Sequence, residues 1–176
     1  MKKSILYIVG FFCASVLILN LLFSGPTTRV NANNSSSDAP TTNNSQENEA
    51  AAVFLACRIA FEKSFPKQNI VSWDPENKHM LIEIWPNDFG AEEANYALTD
   101  IKYLNQWRAM VSTLGELSSD IEAKLNDAGV QSPTVEINWY DPIDNDLLLA
   151  SLINGDLQYD AVDATPAGEQ IEGKTS

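Results

Sequence analysis

Ile5 to Phe23 form an almost unbroken apolar run of 19 residues, preceded by Lys2 and Lys3. A helix of that length spans about 29 Å, close to the roughly 30 Å hydrocarbon core of a bilayer. Only Ser15 and Asn20 interrupt the run. Basic residues stay on the cytoplasmic side, so the run predicts a single pass with a cytoplasmic N-terminus and all that follows outside. The membrane is thus one expected partner, through residues 5–23. The run exceeds a usual signal-peptide core, which favours retention as an anchor over residues 1–23. Val30-Asn31-Ala32 carries the small-residue spacing of a cleavage site, and cutting after Ala32 gives a secreted product instead.

Residues 24–49 are mostly Ser, Thr, Asn, Pro and Gly. Such a segment buries too little apolar area to offset ordering entropy, and reads as a disordered tether. Residues 164–176 are polar, contain Pro166 and two glycines, and read as a disordered tail. Residues 50–163 remain as one globular domain.

Residues 1–49 carry equal numbers of basic and acidic side chains, so the whole formal charge of −13 falls on the domain and its tail. A surface that acidic repels nucleic acid and anionic lipid and suits cations or a basic partner. Cys13 lies in the apolar run and Cys57 in the domain, so no disulfide framework is expected.

Within the domain, Val53, Phe54, Cys57, Ala60 and Phe61 recur at helical spacing, predicting a helix from about Glu49 to Ser64. Ile70–Asp74 and His79–Trp85 flank Pro75-Glu76-Asn77-Lys78 and predict a hairpin with Asp74 opposite His79. That register sets Val71, Trp73, Met80, Ile82 and Ile84 inward, and Ile70, Leu81, Glu83 and Trp85 on the other face. A long helix over 90–128 follows, with Gly115 as a point of kinking or division. Thr134–Tyr140 is a third strand with Val135, Ile137 and Trp139 on one face. Leu147–Ile153 and Asp156–Val162 flank Asn154-Gly155, the strongest hairpin signal in the chain. Uninterrupted pairing there aligns Leu148, Ala150, Leu152, Leu157, Tyr159 and Ala161. The order α-β-β-α-β-β-β predicts an α+β fold, an antiparallel four- to five-stranded sheet with two helices on one face.

Chemistry is sparse. The single histidine, His79, sits at a strand end, and Cys57 falls on the apolar stripe of its helix. No triad motif, Gly-rich phosphate loop or zinc spacing is present, and no cofactor is implied. The acidic loop around Asp141, Asp144 and Asp146 supplies oxygens of the kind calcium takes, without the EF-hand spacing or its glycine. Trp85 and Tyr140, with Ile70 and Leu81 nearby, form an aromatic and apolar surface on which a sugar or peptide can stack.

The MKKSILYIVGFF start, the Ser/Thr/Asn tether and the closing LLLASLINGDLQYDAV hairpin resemble the small signal-anchored extracytoplasmic proteins of unknown function in Gram-positive bacteria of the clostridial type. The resemblance implies an envelope location and no assigned activity. The expectation is a membrane-tethered, non-enzymatic binding module that meets another envelope protein or a wall component. A carboxylate-based envelope hydrolase and a calcium-responsive surface domain are the alternatives.

Overall fold

The computed structural model describes residues 42–172, Asp88 excepted. The anchor expected over residues 1–23 lies outside the described residues, as does most of the tether. Among the described residues no helix is long and apolar enough to cross a membrane.

Helix α1 (Thr42–Ser64) begins earlier than the apolar spacing indicates, so residues 42–49 are helical rather than tether. Once a helix is nucleated each added residue gains a hydrogen bond, and Gln46, Glu47 and Glu49 are good helix formers. Ala50, Val53, Cys57, Ala60 and Phe61 are its buried face. Pro66 ends it, and Lys67 takes a positive φ of 60°.

Strands β1 (Asn69–Asp74) and β2 (His79–Ile84) pair antiparallel with Asp74 opposite His79, as the sequence predicts. Asp74 organises the turn. Its Oδ1 accepts the Glu76 and Asn77 N–H groups at 2.9 and 3.1 Å. Its Oδ2 accepts the Asn77 amide at 2.6 Å.

The expected long helix is two helices, α2 (Ala91–Thr99) and α3 (Ile101–Asp127). The division falls at Asp100, not Gly115. Asp100 is extended and its Oδ1 accepts the Lys102 N–H at 2.8 Å, a helix-starting cap inserted between the two. Gly115 is needed for packing. A Cβ there would stand 2.9 Å from the carbonyl oxygen of Gly155.

Strands β3 (Thr134–Tyr140), β4 (Leu148–Ile153) and β5 (Asp156–Asp160) complete a five-stranded sheet in the order β1-β2-β3-β4-β5. The sheet is mixed, not antiparallel: β3 runs parallel to β2, His79 aligning with Thr134 and Ile84 with Trp139. The physical reason is the connection. The α2–α3 crossover returns the chain to the end of the sheet where β2 began, so β3 starts beside His79.

Asn154 and Gly155, at φ 50° and 91°, make the tight β4–β5 turn. The pairing beyond it is interrupted. Leu152 faces Leu157, but Ser151 faces Tyr159, leaving Gln158 as a bulge. The shift moves Tyr159 off the predicted stripe and turns Asp160 inward. The strand stops there, and Ala161–Ala164 form a short turn of helix, α4.

Met80, Ile82, Ile84, Val135, Ile137, Trp139, Ala150 and Leu152 form the inner face of the sheet and are almost completely buried. Residues of α1 and α3 belong to the same hydrophobic cluster. Two helices therefore cover one face, with α2 and α4 as smaller additions. Phe89, Trp107 and Trp139 stack at the centre, with the two indoles 4.8 Å apart. Trp107 donates its indole N–H to Asp160 Oδ1 at 2.8 Å.

The tail departs from the disorder expected of it as far as residue 172. Ile171 is 8% exposed. Its N–H meets Asn95 Oδ1 at 2.7 Å, and its carbonyl accepts the Asn95 amide at 3.0 Å. One asparagine satisfying both backbone groups pins the tail to α2, which no composition argument anticipates.

Candidate binding face

Side chains alternate along a strand, so the strand register fixes which residues share the outer face of the sheet. Ile70, Glu83, Asn138, Ser151 and Tyr159 make one row across it. Ser72, Leu81, Glu136, Ile153 and Asp156 make the next. On the other side of the first row, Tyr140 ends β3 two residues beyond Asn138, and Trp85 lies just past the end of β2, its N–H bonded to the Gln68 carbonyl at 3.0 Å so that the pairing with β1 continues. The four residues singled out from sequence thus lie on one face, at neighbouring positions across β1, β2 and β3. Ile70 is 51% exposed, while Leu81, Trp85 and Tyr140 are half-buried.

The parallel pairing of β2 with β3 adds polar residues that sequence reading left unassembled. Glu136 accepts the Asn138 amide at Oε1, 2.7 Å, and meets His79 Nε2 at Oε2, 3.0 Å. Asn138 is 8% exposed, and its Oδ1 is buried without a hydrogen-bond partner. Burial raises the Tyr140 phenol above its usual pKa, helped by the charges of Glu83 and Glu136 and a hydrogen bond to Glu83. The face therefore presents aromatic and apolar surface around an acidic, acceptor-rich centre. Period-two alternation in HMLIEIW and TVEINWY was the signal for these residues, but it needs the strand direction to place them side by side.

The candidate calcium loop is tightly engaged with backbone. Asp141 is 3% exposed. Its Oδ2 accepts the Ala91 N–H at 2.6 Å. Its Oδ1 accepts the N–H groups of Ile143 and Asp144 at 2.8 and 2.6 Å. The carboxylate caps α2 from a distance and closes its own loop. Asp144 Oδ1 accepts the Asp146 N–H at 3.3 Å. Among the described residues no group of three or more His, Cys, Asp or Glu side chains is arranged to hold a metal ion.

Two grooves flank the sheet on its helical side. One, of about 310 Å³, lies between the start of α1, the β1–β2 turn and the loop after α3, with Trp73, Lys78 and Val130 in its lining. The other, of about 440 Å³, lies between α3 and β5 and gathers Arg108, Glu116, Asp160 and Asp163 around Val111, Leu152 and Leu157. Two of its three carboxylates have structural duties. Asp163 pairs with Arg108 at 3.4 Å. Asp160 Oδ1 accepts the Trp107 indole and the Val162 N–H, both at 2.8 Å. Burial raises the Asp160 carboxyl above the ordinary range despite those bonds. Cys57 is fully buried, and desolvation pushes its thiol up to about 12, so no thiolate nucleophile arises there.

Comparison of the chain with known protein families, characterised proteins and solved structures finds no match.

Proposed function

We propose that this chain is a non-enzymatic binding module tethered to the membrane outside the cell, and that the outer face of its sheet is the contact surface. The partner is another envelope protein or a wall component. The observation that carries this reading is the placement of Ile70 and Leu81 on a face opposite the shared helical core, with Trp85 continuing the β1–β2 pairing and Tyr140 bonded to Glu83 beside them. Partly exposed aromatic and apolar side chains interleaved with hydrogen-bonding groups are the composition that partner surfaces use. The described part of the tail is drawn away from this face, because its buried residue Ile171 is fastened to Asn95 of α2.

The location rests on the apolar run and its preceding lysines. A hydrolase reading gains little, since two of the three carboxylates gathered in the α3–β5 groove, Asp160 and Asp163, are engaged by Trp107, Val162 and Arg108, leaving Glu116 without a second free carboxylate beside it.

A photocrosslinker at Leu81 in the full chain, expressed in cells, tests both parts. The expected result is a crosslinked envelope partner in the membrane fraction, lost when Trp85 and Tyr140 are both replaced by alanine. Crosslinks unchanged by that double replacement would rule the face out. Intact chain recovered in the cytosol would overturn the location.

A further inference from the structure

We propose that the outer face takes an arginine-bearing peptide segment of its partner, the guanidinium group sitting over Asn138 between Glu83 and Glu136. This rests on the reading of that face as the contact surface and specifies its ligand.

The argument begins from what the face offers. Glu83 and Glu136 bracket Asn138, one beside it on β2 and the other two residues before it on β3. Strand spacing and rise put the two glutamate Cα atoms roughly 8 Å apart. An ionised carboxylate only accepts hydrogen bonds. The donors nearby are already engaged: His79 and the Asn138 amide serve Glu136, and the Tyr140 hydroxyl serves Glu83. Two carboxylates and the Asn138 carbonyl still outnumber these donors, so the centre keeps an excess of acceptors and of negative charge, within a chain of net charge −13. A complementary ligand brings both.

Asn138 supplies the independent observation. Its amide bond to Glu136 fixes which way the side chain is turned, since the reverse orientation would set two acceptors against each other. The carbonyl Oδ1 is left buried and without a partner. Few buried acceptors in folded proteins are unpaired, and each calls for an explanation. Asn138 stands on the outer face beside both glutamates, so an incoming N–H satisfies it once the side chains that cover it move aside. The negative field is already felt at Tyr140, whose phenol is raised first by burial and then by Glu83 and Glu136.

Arginine fits better than lysine. Its planar group carries five donors and stacks on aromatic faces, whereas an ammonium is a compact, strongly hydrated point charge. Trp85 and Tyr140 stand in the next row, where such stacking would occur, and Ile70 and Leu81 border the site for neighbouring peptide side chains.

The test is calorimetric titration of the full chain in detergent with a short diarginine peptide and its dilysine and dicitrulline counterparts. Diarginine should bind at least fivefold tighter than dilysine, and neutral dicitrulline should not bind. Glu83→Gln and Glu136→Gln should each weaken diarginine binding about tenfold. Glu116→Gln and Asp120→Asn remove equal charge from the exposed surface of α3 and should change it less than twofold. Thermal melting of each variant verifies folding. Equal binding of the two basic peptides, with equal losses from near and remote acids, would reduce the effect to general attraction and overturn the proposal. Tighter binding by an Arg29→Gln chain would name the protein's own tether as occupant and overturn it too. If diarginine fails to bind but the Leu81 crosslink stays sensitive to Trp85 and Tyr140, the ligand class falls and the contact surface stands. If both fail, both fall.

Discussion

Asp141 allows a sharp calculation, because one side chain with several duties is removed by a single substitution. Asp141→Ala deletes the acceptor for the Ala91 N–H and for the Ile143 and Asp144 N–H groups. Ala91 opens α2 and is buried, so its N–H finds no water and stays unsatisfied, at a cost of about 1–3 kcal/mol. The other two donors are partly accessible and water replaces the carboxylate there, adding about 1 kcal/mol for the pair. The total is about 3 kcal/mol. For a domain of this size that lowers the melting temperature by roughly 10 °C. Asp141→Asn keeps one oxygen and should lose about half as much. Urea unfolding followed by tryptophan fluorescence measures this, with an unchanged m-value as the check on two-state behaviour. A loss below about 1 kcal/mol for Asp141→Ala would refute the reasoning. The same experiment bears on calcium. Three backbone donors leave this buried carboxylate little free acceptor capacity, and no group of three such side chains is arranged around a cation among the described residues, so millimolar calcium should leave the wild-type midpoint unmoved. A rise that vanishes in Asp141→Ala would overturn that assignment.

Two further outcomes follow from buried groups. Asp160 has its pKa raised in the folded state, mainly by burial, so the folded form holds its proton more tightly than the unfolded chain does. The contribution of this residue to stability is therefore greatest at low pH and declines as pH rises from the ordinary carboxylate value through the raised one. Asp160→Asn retains an acceptor for Trp107 and should gain stability relative to wild type between pH 3 and pH 7; a constant difference would contradict this. In a Cys13→Ser chain the Cys57 thiol, pushed up to about 12, should react with iodoacetamide at pH 8 only as fast as the domain opens. Rapid labelling without denaturant would show that the site is not closed.

Strand positions were largely legible in the sequence because alternation and turn chemistry are local signals. Asp74 opposite His79 followed from the turn between them, and the burial of Val135, Ile137 and Trp139 from their period. What escaped was set by distant partners. The bulge at Gln158, and with it the inward turn of Asp160, answers to Trp107 on α3. The division of the long helix at Asp100 rather than Gly115 reflects a capping side chain at one position and the approach of Gly155 at the other. The residues of the candidate face were named in part, as Trp85, Leu81, Tyr140 and Ile70. Glu83 was placed on that face too, but Glu136 and Asn138 were not joined to it, because an antiparallel β3 would have placed other residues beside β2.

The parallel seam between β2 and β3 has a consequence for how the molecule assembles. The β1–β2 hairpin and the β3-β4-β5 meander each consist of contacts between chain neighbours and can form early. Joining them requires the whole helical crossover to close, so contact order places the seam after the hairpins. Glu83 and Leu81 belong to one half, Asn138, Glu136 and Tyr140 to the other. The outer face is thus assembled from two separately nucleated pieces, and any ligand that grips both sides of the seam also fastens the halves together.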